Sequence, residues 1–232
     1  MWEFNMKSNQ RAELIKNARE KTFTQPILEK YYFESVPIDK FWNFYGTDFY
    51  VHSPLDLFFE EEKLRSDYES EKLELLNAPS VPSFIEDNFL LSNRDGTVIA
   101  MMRGWQKNFD TYYMQFTAVH KDYRKGGIYS SLIDRVLEYT KLLGFSRVLS
   151  CHAPYNNAVL IAKLKKDFKI IGMDIDAALG TNIWLCYFHN EDLKKAFEFR
   201  CGKITFSEKL FTSSLGTAES LGQVINKSKI SS

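Results

Sequence analysis

The residue types best able to do chemistry fall in one segment, Val119-His120-Lys121-Asp122-Tyr123-Arg124-Lys125-Gly126-Gly127-Ile128-Tyr129. An apolar, β-branched run precedes it and an amphipathic run follows, so it joins a strand to the N-terminus of a helix. Unpaired backbone N–H groups at such a junction, aided by the helix dipole, form an anion site. Gly126 and Gly127 let a phosphate come close to the backbone, while Arg124 and Lys125 add positive charge. The competing reading is a plain glycine turn with two solvated cations, and short motifs of this kind often match by chance. The segment is not a Walker loop, because GxxxxGK[ST] is absent. It is not a dinucleotide fingerprint either, because GxGxxG is absent and the strands before it form hairpins.

Other reactive side chains read as structural. Cys151 and His152 are neighbours in a strand, so they face opposite ways and do not form a nucleophile–base pair. His120 reads as a surface histidine beside the loop, and Cys151 as a small buried side chain. The 4 His and 3 Cys show no metal-ligand spacing, and no metal is expected.

The elements that must position the loop follow from periodicity. A first helix is expected over Arg11–Lys21, and a charged, solvated helix within residues 54–76. Pro79 and Pro82 mark a boundary. Strands then follow at Phe89–Ser92 and Thr97–Arg103 around the Asp95-Gly96 hairpin signal, and at Thr111–His120. Strict alternation along the last of these puts Tyr113, Gln115, Thr117 and Val119 on one face and Tyr112, Met114, Phe116 and Ala118 on the other. From Gly127 to Leu143 apolar residues recur at Ile128, Leu132, Val136, Tyr139 and Leu143, a helical period ended by Gly144. Phe145–Cys151 is a strand, and Asn156 or Asn157 caps a second helix running to about Phe168. Strands at Lys169–Ile175 and Thr181–Phe188 close the series. A strand–helix–strand crossover is almost always right-handed and parallel. The fold class is therefore α/β, with a mixed, mostly antiparallel sheet and one parallel crossover.

Three segments are expected: a helical, aromatic-rich part over 1–80, the α/β domain over 83–190, and a C-terminal helix with a mobile tail over 191–232. The first 80 residues carry 15 acidic and 10 basic side chains, and the remainder carries 15 and 20, for a total net charge of zero. That balance argues against neutralising the many phosphates of a nucleic acid, while an anionic ligand favours the second part. Eleven aromatics lie between Tyr31 and Phe59 and need a core, a ligand or a partner to cover them. The N-terminus lacks an apolar targeting core, no run approaches 18 apolar residues, and cysteine is rare and odd in number. A cytoplasmic protein with no membrane partner is expected.

Taken in order, the hairpins, the R-x-x-G-x loop, the helix, the parallel strand, the second helix and the final strand pair resemble the GNAT superfamily of N-acetyltransferases. The family motif runs V-x-P-x-Y-R-x-x-G-I-G/A. Val119, Tyr123, Arg124, Gly127 and Ile128 match it, whereas Lys121 takes the proline position and Tyr129 the last Gly/Ala. The family's later helix reads N-x-x-A-x-x-L-Y-x-x-x-G-F. Asn156 and Phe168 match there, with Val159, Ala162, Lys163 and Asp167 as departures.

The resemblance implies acetyl-CoA as co-substrate. Backbone groups of Thr117, Ala118 and Val119 would pair with the pantetheine amides. The amides of Arg124, Lys125, Gly126, Gly127, Ile128 and Tyr129 would seat the pyrophosphate, and Asn156 would touch the pantetheine arm. Tyr129, near the start of its helix, is expected to point outward. The usual base and acid are both replaced, the Glu by Tyr113 and the Tyr by Lys163. Tyr155 is then the candidate to reach the sulfur, and Tyr113 with Gln115 the candidates to hold a relaying water. The implied activity is acyl transfer, most simply of acetyl, to a primary amine of a small molecule or peptide by direct attack. The aromatic-rich segment would be the acceptor lid, and a homodimer is one arrangement the reading admits. A catalytically silent CoA-binding or sensing module is the alternative, and an unrelated nucleotide-phosphate binder a third reading.

Overall fold

In the computed structural model the chain divides into two compact units, residues 1–187 and 188–232. The structure describes residues 2–44, 49, 85–108 and 110–202. The helix expected within residues 54–76 and the tail after Phe211 lie outside these.

The elements in order are α1 (Trp2–Phe23), β1 (Tyr32–Ser35), α2 (Ile38–Trp42), β2 (Glu86–Ser92), β3 (Val98–Asn108) and β4 (Thr111–Val119). A 3-10 turn (Lys121–Tyr123), α3 (Ile128–Leu142), β5 (Arg147–His152), α4 (Asn157–Lys165), β6 (Lys169–Asp176), β7 (Gly180–Phe188) and α5 (Glu191–Arg200) follow. The second unit opens on α5, which Asn190 caps by accepting the N–H groups of Asp192 and Leu193 at 3.0 Å. Within that unit Phe188 stacks on Phe197.

Seven strands make one sheet in the order β1-β2-β3-β4-β5-β7-β6. β1 to β4 pair antiparallel in succession, as do β6 and β7. β4 and β5 are parallel. This is the mixed, mostly antiparallel sheet that the periodicity implied. The β2–β3 hairpin turns at Asn93–Gly96, where Asn93 Oδ1 accepts the N–H groups of Asp95 and Thr97 and Gly96 takes a left-handed φ of 80°.

Two expectations need correction. Tyr32–Ser35, inside the part expected to be helical, is an edge strand on β2. Its aromatic run suits a pleated surface, but four residues are too few to show a period of two. Strict alternation along β4 also fails. Its register with β3 passes from Phe116 opposite Arg103 to Met114 opposite Gly104, so Gln115 is a bulge with no partner. A bulge shifts the side-chain parity by one. Tyr113, Gln115, Phe116 and Ala118 therefore share the face that carries α2, while Tyr112, Met114, Thr117 and Val119 share the face that carries α3.

The α3 face holds the larger core. Phe23 of α1 packs there with Phe89, Tyr112, Tyr139, Val148 and Phe168, and a second cluster joins Ile99, Val119, Ile128 and Leu132. A buried carboxylate fixes the layers in register. Asp87 on β2 accepts from Tyr112 at 2.9 Å and Tyr139 at 3.2 Å and pairs with Arg19 of α1 at 2.6 Å. Burial pushes the Asp87 carboxyl upward, and Arg19 with the two hydroxyls pulls it back. The opposite face carries a smaller cluster of Val36, Phe41, Phe49, Leu90 and Met101. Part of the aromatic-rich segment is thus spent on core packing.

Candidate active site

The parallel ladder between β4 and β5 is short. It pairs Thr111 with Arg147, Tyr112 with Val148 and Tyr113 with Leu149, and then stops. Beyond Tyr113, the edge of β4 that faces β5 is open from Met114 to Val119. At about 3.3 Å per residue this edge is roughly 17 Å long, a distance an extended pantetheine arm covers.

The hydrogen-bond phase of β4 says which groups line the opening. His120 N–H donates to Ile99 O at 2.8 Å. In an antiparallel ladder bonded pairs alternate, so the next bonded pair is Ala118 with Met101. Ala118 thus spends its backbone groups on β3, while those of Thr117 and Val119 point into the opening. The carbonyl of Val119 is held by Arg124 Nε at 3.0 Å.

The loop at the mouth is shaped by backbone handedness. Lys125 has φ 65° and Gly127 φ 82°, with Gly126 between them outside the left-handed region. Alternation of this sort turns successive N–H groups toward one concave side. Gly127 is also the N-cap of α3, with no side-chain cap bond and no acid in the first helical turn. Among the described residues the N–H groups of Lys125 through Ser130 find no acceptor. Among the described residues a Cβ on Gly127 would meet nothing within 4 Å, so the loop is open on that side.

Arg124 does not contribute as charge alone suggested. Its guanidinium is bonded to Val119 O and, at 3.1 Å, to Phe49 O, and its own N–H leans on Lys121 O at 3.4 Å. It braces the loop against the end of β4. Lys125 remains exposed. Tyr129 departs from the outward course expected: its ring packs against both clusters of the α3 face, and burial pushes its hydroxyl pKa upward. Ile128 is buried beside it and anchors the first turn.

On the α2 face, Tyr113 lies between Trp105 at 5.0 Å and Trp184 at 5.8 Å. Burial pushes its phenol up to about 12, with Cys151 and Asp174 adding to the effect. At neutral pH Tyr113 is therefore a hydrogen-bond donor and not a base. Gln115, displaced by the bulge, accepts from Arg103, which also bonds Asn88 and Glu86 and covers Trp105 at 4.8 Å. Lys107 sits 4.4 Å over the Trp184 ring. Cys151 belongs to this side, its thiol pushed up to about 11 by burial and nearby Asp174 and Asp176. Its thiolate is thus disfavoured at neutral pH.

The α3 face of the opening holds a lysine whose burial the sequence did not show. Lys163 of α4 is fully buried, with its Nζ 3.1 Å from Met114 Sδ and 4.6 Å from the Phe168 ring. Thr117 Oγ1, Ser150 Oγ and His152 Nε2 are buried without any hydrogen-bond partner. Buried polar atoms are normally satisfied, so among the described residues these three remain available to a bound group. The family motif put Lys163 where the usual tyrosine stands, but its burial left no mark in the sequence, because apolar residues surround α4 on all sides and its Ile161 and Leu164 are exposed.

Tyr155 stands in the turn before α4 and is 41% exposed. Nothing brings it to the Lys163 cluster. Asn156 is the N-cap residue of α4, as expected, but makes no side-chain cap bond, so among the described residues its amide is unspent. His120 accepts from Asp122 N at 3.3 Å and packs on Phe49 and Tyr123, a structural role. Among the described residues no group of three or more His, Cys, Asp or Glu is placed to hold a metal ion. No described helix is long and apolar enough to cross a membrane.

A mixed sheet that opens between its two parallel strands, with an amide-rich turn at the mouth, has the form of an N-acetyltransferase. A profile of the acetyltransferase (GNAT) family matches residues 27–164, and the chain belongs to that family. Acetyltransferases of this family use acetyl-CoA as co-substrate. Solved structures similar to this one include a GCN5-related N-acetyltransferase from Kribbella flavida, at 14% identity and TM-score 0.47, covering 70% of this chain and 99% of that one. The spermidine/spermine N-acetyltransferase SpeG from Vibrio cholerae is 12% identical with TM-score 0.46, covering 72% and 97%. The IAA acetyltransferase from Bacillus cereus is 15% identical with TM-score 0.45, covering 68% and 99%. No curated protein matches the sequence.

Proposed function

We propose that this protein transfers an acyl group, most simply acetyl from acetyl-CoA, to a primary amine of a small molecule or peptide by direct attack. The observation that carries the reading is continuity. The open edge of β4 leads, through the short 3-10 turn that Arg124 braces, to the unpaired amides of Lys125–Ser130. A carrier with a diphosphate at one end and a peptide-like arm matches that sequence of donors and acceptors. In this reading Lys125, Gly126, Gly127, Ile128 and Tyr129 offer backbone N–H groups to the diphosphate. Arg124 keeps the loop in place, and Thr117 together with the N–H of Val119 pairs with the arm. Ala118 serves as spacer, and the free amide of Asn156 meets the arm from α4.

The acceptor is assigned to the α2 face, where Phe116, Tyr113 and Trp184 present rings and Gln115 is turned outward by the bulge. Phe41 and Trp42, from the part before Pro79 that we assign to the acceptor lid, lie against Phe116. An aromatic wall favours an apolar or aromatic amine. Tyr113 and Gln115 hold a water that carries away the proton of the attacking nitrogen, Tyr113 as donor and Gln115 as acceptor. The rest of the rate comes from positioning, since an amine that arrives unprotonated needs no strong base.

The three cysteines are free thiols, which supports a reducing, cytoplasmic address. The β6 edge supports a homodimer: Met173 is 69% and Ile175 85% exposed on the last strand of the sheet.

The test has two stages. A thermal shift with acetyl-CoA, CoA and ATP should show stabilisation by the first two, about 2.7 kcal/mol at 100 times the dissociation constant. Stabilisation by ATP alone would reject the reading. Thiol release from acetyl-CoA should then appear with at least one of spermidine, phenethylamine or a peptide with a free amino terminus. Tight CoA binding with no release from any amine would favour the second reading, a silent CoA-binding module. What supports that reading is the weak basicity of Tyr113.

A further inference from the structure

We propose that Lys163 supplies the positive charge that receives the departing sulfur, so that the thiolate leaves as an ammonium–thiolate pair at the narrow end of the opening. This rests on the acetyl-transfer reading above. Met114 is the first residue of β4 beyond the last parallel pair, and Lys163 Nζ touches its sulfur. His152 closes β5 on the same side and is electrostatically coupled to Lys163. The lysine nitrogen therefore lies on the α3 face beside Met114, at the point where the two strands separate. An arm laid along β4 from the amides of Lys125–Ser130 would bring its far end, the sulfur, to that point.

The surroundings of Lys163 leave its charge uncompensated. From β4 it touches Met114, from the segment after α4 it lies over the Phe168 ring, and on β5 the group that feels its charge is His152. His152 is held neutral, its pKa pushed down to about 3 by burial and then by Lys163 itself. Among the described residues no carboxylate pairs with Lys163. Burial alone pushes the ammonium down to about 7. A thioether and a ring face offset little of the cost of a buried ammonium. A thiolate at this point would pair with it fully, whereas a neutral thioester would not. The stabilisation thus appears as the C–S bond breaks, which is where it lowers the barrier.

The atoms balance as follows. The acceptor nitrogen forms its bond to the carbonyl carbon, and the C–S electron pair goes to sulfur beside the Lys163 ammonium. The surplus proton on nitrogen passes to water. On release the sulfur takes a proton from Nζ, CoA departs as the thiol, and Lys163 regains a proton from solvent.

The test reads sulfur and not turnover. CoA bound to the protein at pH 7 is followed by ultraviolet thiolate absorbance, with calorimetry as a separate measure of binding. The wild type should hold about tenfold more of its bound CoA as thiolate than Lys163→Met, and more than free CoA does. Lys163→Arg keeps a fixed charge and should retain the signal. If Lys163→Met does not fold, the comparison of bound with free CoA still decides. Equal thiolate in the wild type and Lys163→Met, or no excess over free CoA, overturns the assignment while leaving the acetyl-transfer reading intact. Absence of CoA binding by the wild type overturns that reading, and this inference with it. Acetyl-Lys163 in peptide mass spectra after incubation with acetyl-CoA also overturns it, because an amide carries no charge.

Discussion

Replacing Lys163 by Met should stabilise the folded chain at neutral pH, and the gain should fade as pH rises. Lys163 is fully buried, and its ammonium falls from an ordinary 10.5 to about 7. At roughly 1.4 kcal/mol per pH unit, that drop costs the folded state about 5 kcal/mol wherever the unfolded lysine is charged. The sign follows from proton counting. Below pH 7 both states hold the proton and the cost is constant. Between about 7 and 10.5 only the unfolded chain holds it, so wild-type stability rises with pH across that window. Methionine has a similar length and no charge, and it forfeits a desolvated ring contact worth about 2 kcal/mol. Urea unfolding at pH 7 should therefore show Lys163→Met more stable by about 2–3 kcal/mol, a large part of an ordinary domain's stability. At pH 10 the cost left on the lysine is under about 1 kcal/mol, so the two proteins should nearly coincide. A gap that is the same at both pH values, or a variant weaker at pH 7, would refute the claim that Lys163 is buried and unpaired.

Gly127→Asp should abolish CoA binding by calorimetry without lowering the unfolding temperature by more than a few degrees. Asp tolerates a left-handed φ better than most residues, and it sets a negative charge before the amides; retained affinity would count against the loop. Gly104→Ala should cost about 1–3 kcal/mol in thermal unfolding, because its Cβ would lie 2.6 Å from the Tyr112 ring, which Asp87 holds in place. Wild-type stability in that variant would mean the Tyr112 ring is not fixed. Met173→Asp with Ile175→Asp should leave CoA binding alone and convert a dimer to a monomer in light scattering; an unchanged mass would dismiss the β6 edge as the interface.

Much of the fold was legible because its signals are local. The period of α3, the Asp95-Gly96 turn and the β-branched run of β4 each lie within one element, and each appears within a few residues of the expected bounds. β1 was not legible: with four residues it has no period, and only β2 makes it a strand. The bulge at Gln115 left no mark either, since nothing in Met114-Gln115-Phe116 tells a bulge from an ordinary pleat. Its effect is large all the same. Phe116 and Ala118 move to the acceptor side, and Thr117 and Val119 to the side of α3. For the loop, residue types implied an anion cradle, but they could not show that Arg124 is spent on Val119 O and Phe49 O. That depends on Phe49, 75 residues away in the chain.

The bulge and the buried lysine make sense together. Because Gln115 is extra, the residues of β4 on either side of it serve opposite faces. Tyr113, Gln115 and Phe116 look toward α2, while Met114 and Thr117 look toward α4. A carbonyl lying in the opening beside Met114 would then have a polar, ring-lined side and a buried cationic side. An amine approaching from the first adds to the face of the carbonyl, and a sulfur leaving toward the second departs into separate space, so the two groups do not compete for room around one carbon. Without the bulge Phe116 would fall on the α3 face, filling the space beside Lys163, and Thr117 would turn outward. The sheet irregularity thus separates the two halves of the reaction, and the cost of the unpaired lysine is what remains to be met when the sulfur arrives.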